Sequence, residues 1–371
     1  MSEYRIYELA EVCSRLSSGK GIPASKVTPE GNYPVYGGNG LRGYTEQSNF
    51  SGDCAIIGRQ GAFCGNVRYF SGEAYMTEHA VVVCATPEHN TRYLAYLLST
   101  MNLGRLSGQS AQPGLSVKTL GKQQISLPTL DTQNRVASIL ARLDEKIELN
   151  NRINENLEQQ AQAIFASEFL NRNDLPLGWT KSNLLGIADY LNGLAMQKFR
   201  PAENEESYPV LKIKELRQGV CDENSERCST GIKPDYIIHD GDVIFSWSGS
   251  LLVDFWCGGT CGLNQHLFKV TSSNYDKWFY YAWTNHHLQR FIAIAADMAT
   301  TMGHIKREEL SKAEVIIPST EDYLRIGDLL RPIYDLIVAN RLENNKLTSL
   351  RNELLPKLMN GELDVAEVHY V

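Results

Sequence analysis

Two groups of polar side chains, set among glycines and turn residues, carry the chemistry that this sequence offers. The first comprises Lys20, Asn39, Arg42, Arg59, Gln60, Asn66, Arg68, Gln112 and Lys118. The second comprises Lys198, Lys212, Lys214, Ser246, Trp247, Ser248, Gln265, Thr301, His304 and Lys306. Arginine presents a planar fork of donors that matches the two acceptors on the edge of guanine. Asparagine and glutamine match the donor and acceptor of adenine, serine and threonine meet either base, and lysine neutralises phosphate. Each residue taken singly also reads as a solvated surface group, each glycine as a turn residue, and Trp247 as core. The groups therefore mark two regions suited to reading nucleic acid.

The groups that catalysis requires are not assembled. No glycine-rich loop ends in Lys-Ser or Lys-Thr, so nothing cradles a nucleoside triphosphate. Gly37-Gly38-Asn39-Gly40 and Gly58-Arg59-Gln60-Gly61 lack the strand and helix of a dinucleotide loop. The Asn/Asp-Pro-Pro-Tyr/Phe element of adenine methylation is absent, and Asn32-Tyr33-Pro34-Val35-Tyr36 lacks its paired prolines. Pro234-Asp235 is not followed by the Glu-x-Lys of a nuclease metal site. His286 and His287 are adjacent on a predicted helix and point in different directions. Cys221-x6-Cys228 and Cys257-x3-Cys261 match no common zinc spacing. A non-catalytic chain without its own metal or cofactor is expected.

The 36 Lys and Arg against 43 Asp and Glu give a net charge of -7. That excludes a chain basic over its whole surface and leaves a local cationic cluster open. No apolar run approaches the ~18 to 20 residues of a membrane span. Met1-Ser2-Glu3-Tyr4-Arg5 has no apolar signal core, and the irregularly spaced cysteines suit a reducing compartment. The cytoplasm is the expected location.

The two regions lie in a duplicated framework, 1–128 and 174–318. Leu184, Ile187 and Leu191 mirror the amphipathic Leu9, Val12 and Leu16 at an offset of 175, and Tyr208-Pro209-Val210 copies Tyr33-Pro34-Val35 at the same offset. Gly241-Asp242-Val243-Ile244 aligns with Gly52-Asp53-Cys54-Ala55 at 189, and His266 with His79 at 187. Leu310, Lys312, Val315 and Pro318 copy Leu120, Lys122, Ile125 and Pro128 at 190. Cys54–Ile57 and Ala80–Val83 read as strands and Arg92–Leu98 as a helix.

Each unit is followed by a long helix, 129–173 and, with a C-terminal tail, 319–371. In the first, Leu143, Asn150, Leu157 and Ile164 recur every seven residues, with Ile147, Ile153 and Ala161 between them. In the second, Ile333, Asn340, Leu347 and Leu354 stand 190 positions on, with Ile337 matching Ile147. Heptads of this kind give a seam that packs on another helix, and a seam asparagine fixes register at a cost in stability. The pair reads as a helical spacer between two globular units. Ser319-x-x-Asp322 resembles a capping box. Pro332 should kink or restart the second helix, and Pro356 with Gly361 should end it.

In this order the pieces resemble the specificity subunits of type I restriction-modification systems. The resemblance rests on Tyr33-Pro34-Val35-Tyr36-Gly37-Gly38-Asn39-Gly40 and Ile57-Gly58-Arg59-Gln60-Gly61-Ala62-Phe63-Cys64-Gly65. It rests also on Ile125-Ser126-Leu127-Pro128, Leu175-Pro176-Leu177-Gly178-Trp179 and Leu354-Leu355-Pro356-Lys357-Leu358-Met359-Asn360-Gly361. It implies an α+β chain of two mixed α/β target recognition domains, separated by two long helices in an antiparallel coiled coil with a pseudo-two-fold repeat. Each domain would read half of a split sequence in double-stranded DNA. The helices would set the gap and dock two methyltransferase subunits, which bind S-adenosylmethionine. Restriction subunits would bring ATP and Mg chemistry. The second unit departs from the pattern between Tyr208 and Gly241, where the Gly-Gly-Asn-Gly loop is missing. The competing expectations are a coiled-coil scaffold that contacts only protein, or a stand-alone enzyme with an unrecognised site.

Overall fold

The β-branched run at 80–83 becomes a central strand, as its composition predicts. The computed structural model describes residues 4–107, 114–172, 174–297, 305–363 and 365, in two compact units, Met1–Glu145 with Leu347–Val371, and Lys146–Lys346. The first unit contains β1 (Arg5–Glu8), β2 (Cys13–Ser18), β3 (Tyr33–Gly37), β4 (Gly40–Thr45), β5 (Phe50–Gly58), β6 (Val67–Met76) and β7 (Ala80–Ala85). It continues with α1 (Thr91–Thr100), α2 (Val117–Gly121), β8 (Gln124–Leu127) and the start of α3 (Leu130–Phe165). Six strands form a sheet in the order β2-β7-β5-β6-β3-β4, and β1 pairs antiparallel with β8. Strand alternation divides the central residues between two faces. Ala55, Ile57, Val81 and Val83 pack with Tyr93, Leu94 and Leu98 of α1, while Cys54, Ile56 and Val82 join Phe50 and Met76 in a separate cluster. Helix α1 starts at Asn90, whose side chain accepts from the Tyr93 N–H at 2.8 Å. The segment read as amphipathic from Leu9 is a 3-10 turn, Leu9–Val12, running into β2.

The second unit contains β9 (Thr180–Asn183), α4 (Leu184–Ile187), β10 (Asp189–Asn192), β11 (Ser207–Leu211), α5 (Ile213–Gln218), β12 (Arg227–Ser229) and β13 (Ile237–Ile238). There follow β14 (Val243–Ser246), β15 (Leu252–Phe255), β16 (Cys261–Leu263), β17 (Leu267–Thr271), α6 (Lys277–His286), α7 (Leu288–Asp297), α8 (Arg307–Ser311), β18 (Glu314–Ile317) and α9 (Thr320–Met359). The order β10-β17-β14-β15 repeats β2-β7-β5-β6, and β11 lies parallel to β16 as β3 does to β6. Where β6 is one strand serving both neighbours, β15 and β16 are two, so the second unit carries two four-stranded sheets.

The sheets correct one anchor of the repeat. Gly58 pairs with Ala80, and Ser246 with Leu267, so β5 and β14 are offset by 188 rather than 189. Val243 and Phe245 face the helix side as Ala55 and Ile57 do. A slip of one residue would turn every side chain to the other face. The shared Gly-Asp letters are exposed within β5 and precede β14, in both cases outside the buried residues that set register.

Helices α3 and α9 run antiparallel within each unit. In the second, Asn150 donates to Asn344 at 2.9 Å and to Glu343 at 2.7 Å, while Asn340 donates to Asn154 at 2.9 Å. The two asparagine pairs exchange places under the 190-residue repeat. Asn150 and Asn340 thus each meet the other helix's next seam asparagine. Leu143, Ile147, Leu157, Ile164, Ile333, Leu347 and Leu354 are half-buried along the seam, and Ile337 is buried. Ile153 is not a seam residue: it is 36% exposed, and the buried Asn154 holds that position because a four-three spacing from Asn150 skips it. Pro332 does not interrupt α9. Its side chain is exposed, Leu330 and Tyr334 are buried on either side, and the helix forgoes one hydrogen bond. Pro356 also lies within the helix, and Gly361 at φ +76° follows its end. The Asp322 N–H donates to the Ser319 hydroxyl at 3.2 Å, capping the start.

Asn154→Leu is expected to cost about 1–3 kcal/mol by stranding the Asn340 amide in an apolar seam. Asn154→Leu with Asn340→Leu should recover that loss while weakening register. Urea unfolding of the singles and the double checks this; a single variant as stable as the parent would refute it.

Candidate nucleic-acid interface

In both units the ends of three strands are tied by the same backbone hydrogen bonds. Gly19 follows β2 and donates to Ala80 O at 3.0 Å, and Lys20 N donates to Met76 O at 2.9 Å. In the second unit Gly193 donates to Leu267 O at 3.0 Å, and Leu194 N to Leu263 O at 2.9 Å. A Cβ on Gly19 would lie 2.1 Å from Met76 O, and one on Gly193 would lie 2.2 Å from Asn264 O. Only glycine permits that approach. Between these strands stand two matched turns, Thr77-Glu78-His79-Ala80 and Asn264-Gln265-His266-Leu267, each closed by a 3.0 Å N–H to O=C bond. Their first residues donate to Tyr36 O at 2.9 Å and to Leu211 O at 3.2 Å.

Each turn carries a histidine that reaches the loop after the central strand. His79 Nδ1 lies 3.1 Å from Gln60 Oε1, and His266 Nδ1 lies 3.1 Å from Ser248 Oγ. That loop is crossed by the segment preceding the short helix: Leu115 N donates to Arg59 O at 2.8 Å, and Ile305 N to Trp247 O at 3.1 Å. Arg59-Gln60 and Trp247-Ser248 are therefore equivalent positions on one frame. Its side chains differ completely.

On the first frame the Gly37-Gly38-Asn39-Gly40 turn packs against arginines. A Cβ on Gly37 would meet Arg42 Cδ at 2.7 Å, one on Gly38 would meet His79 O at 2.8 Å, and one on Gly40 (φ +98°) would meet the Arg68 guanidinium at 3.0 Å. The glycines are thus required by close approach as well as by turn geometry. Arg42, Arg68, Asn39, Gln60 and Lys20 are exposed, and Arg59 is half-buried with its Nη1 3.5 Å from Ser18 Oγ. Burial pushes the Cys64 thiol up, keeping it protonated to donate to Arg59 O at 3.3 Å. Asn66 lies at the far end of this loop and lines a groove with Ser99 and Asn102. Lys118 is exposed on α2, and Gln112 lies outside the described residues.

On the second frame several sequence-based assignments need correction. Ser246 is fully buried and donates to Ser248 O at 3.2 Å, and the buried Ser248 holds His266, so both hydroxyls brace the loop instead of facing solvent. Lys212 pairs with Glu226 at 2.5 Å and Lys214 with Asp222 at 3.3 Å; acidic residues on the following segment meet their charge. Trp247 donates from Nε1 to Asn192 Oδ1 at 3.0 Å, and its ring packs on His266 and Phe268. Gln265 is half-buried beside His266, while Lys198 and Lys306 are exposed. Thr301 and His304 lie outside the described residues.

Sequence reasoning paired His79 with His266 only as a repeat anchor, and did not assign His79, Ser18, Asn192 or the paired glycines 19 and 193 to the interface. The matched histidines at offset 187 are the signal that leads to them. Among the described residues no three His, Cys, Asp or Glu gather as a metal site, and no helix is long and apolar enough to cross a membrane.

The family model described as the type I restriction modification DNA specificity domain matches residues 1–159 and again 176–350. A segment of 112 residues, 30% of the chain, is 44% identical to the EcoprrI specificity subunit of Escherichia coli, spanning 28% of that protein. Over 308 residues, 75% of the chain, identity is 27% to the MjaIX specificity subunit of Methanocaldococcus jannaschii, spanning 70% of it. The fold resembles the crystal structure of a type I restriction-modification S subunit from M. genitalium, with TM-score 0.67, 14% identity and 96% of each chain covered. A model matched twice along a chain that folds twice on one plan identifies the protein as a member of the type I restriction modification DNA specificity family.

Proposed function

We propose that this chain is the non-catalytic DNA-recognition subunit of a type I restriction-modification complex. Residues 1–128 and 174–318 each read one half of a bipartite duplex target. Segments 129–173 and 319–371 set the unread gap and dock two methyltransferase subunits, which supply S-adenosylmethionine chemistry. Restriction subunits add ATP and Mg chemistry, and the assembly works in the cytoplasm. One observation carries the reading: identical backbone hydrogen bonds hold different side chains at Arg59-Gln60 and Trp247-Ser248. A duplicated frame with diverged tips suits two readers of two sequences.

The purified methyltransferase–specificity complex is expected to prefer its target over a scrambled duplex by about a thousandfold or more at physiological salt. Equal binding would sink the reading. The chain alone, given S-adenosylmethionine and target DNA, should transfer no methyl group, and methyl transfer without partners would make it an enzyme instead.

A further inference from the structure

The two frames differ in one chemical respect that bears on what they read. Arg42, Arg59 and Arg68 come together around the 37–40 turn, and among the described residues none is paired with a carboxylate. In the second unit the counterpart of each is something else. The carbonyl that accepts from the crossing segment belongs to Arg59 in one frame and to Trp247 in the other. Arg68 pairs with Ile56 in the sheet; the matching Ile244 pairs with Asp254, which Arg341 of α9 binds at 2.5 Å. Arg42 stands on the β3–β4 hairpin, whereas β11 runs into α5 and has no such hairpin. Arg307, on α8, donates to Tyr190 O at 2.9 Å and is engaged within the fold. What the second frame offers is Trp247, Gln265, His266 and Asn192, with one guanidinium, that of Arg217, donating to Ser250 Oγ at 3.1 Å at the edge of the loop.

Guanidinium groups free of carboxylates pair bidentately with the O6 and N7 of guanine. Amide and indole groups have no such match and suit adenine, thymine methyl or ring contacts. We infer that the half-site read by residues 1–128 contains guanine contacted by Arg42, Arg59 or Arg68, and that the other half-site, whose frame has no such arginine cluster, is read by Trp247, Gln265, His266 and Asn192. The inference rests on the two-reader function proposed above. It adds the base chemistry of each half.

The test uses the methyltransferase–specificity complex and target duplexes in which 7-deazaguanine replaces guanine in one half-site at a time, removing N7 while keeping base pairing. Binding is expected to fall about 5- to 150-fold for the first half-site and to stay within twofold for the second. Arg42→Gln, Arg59→Gln and Arg68→Gln, tested singly, should include at least one variant that no longer senses the analogue. An equal loss in both halves, a loss in the second alone, or no loss overturns the assignment. So does a set of variants that only lower the slope of affinity against salt by about one each, since that marks phosphate contacts. Failure of the unaltered complex to prefer its natural target would fell the two-reader function itself, a different outcome from preference that ignores N7.

Discussion

Inserting seven residues after Glu145 in α3 and seven before Leu347 in α9 is expected to abolish binding to the natural target. Both positions fall at the boundary between the compact units, so neither unit loses its internal pairs. Asp144 keeps Arg351 at 2.9 Å in the first, and the asparagine pairs remain in the second. Seven residues preserve the phase of the seam and add about 10.5 Å of helix, at 1.5 Å per residue. At ~3.4 Å per base pair along a strand, that is up to about three base pairs of added gap. Affinity for the natural target should fall to the non-specific level, a loss of about a thousandfold or more. A series of duplexes with widened gaps should contain one that recovers it. Binding of the natural target at parental affinity would show that the helices do not measure the gap. Insertion into α3 alone serves as a contrast, because it sets Asn150 against the wrong residue and should cost assembly.

Phe169→Ala should have the largest effect on stability, about 3–5 kcal/mol. The last residues of the first long helix, Ala166–Leu170, form a π-turn in which Asn171 N donates to Ala166 O at 2.9 Å. Phe165 and Phe169 pack together there, with ring centroids 5.0 Å apart. Phe169 also lies 5.3 Å from Trp283, 5.7 Å from Trp179 and 6.2 Å from Phe279, and is 2% exposed. Truncation leaves a void among rigid rings that cannot collapse to fill it. Since two units need not unfold together, the second-unit transition in urea should move to lower denaturant while the first stays in place. A loss under about 1 kcal/mol would mean that the cluster rearranges. The corresponding residue of α9 is Met359, buried in the first unit's core.

Local patterns were legible in the sequence because they are local. The heptad rhythm needs only helical periodicity, and the seam it names is the seam that packs, apart from Ile153 and Asn154. Gly37-Gly38-Asn39-Gly40 marked a place where side chains are excluded, although only the fold shows Arg42, His79 and Arg68 pressing on it. The twofold plan showed in the constant offset of core anchors, because cores restrict substitution where surface loops do not. The expected restart at Pro332 did not occur, for the converse reason: α9 runs on through it, and packing on both sides outweighs a single missing donor.

What the sequence determined by itself is the repeated plan, the long helices and the kinds of side chain on each reading face. The tertiary structure alone decided which of those side chains reach solvent. Ser246 ends β14 and Ser248 lies in the loop after it, yet both polar side chains are buried. Lys212 and Lys214 lose their free charge to acids supplied by the chain that follows α5. The register of β14 and the pairing of Asn150 with Asn344 likewise come from contacts far apart along the chain. Residue type and spacing encode what a segment is able to do. Exposure, partner and orientation belong to the neighbours that folding brings, and no local pattern contains them.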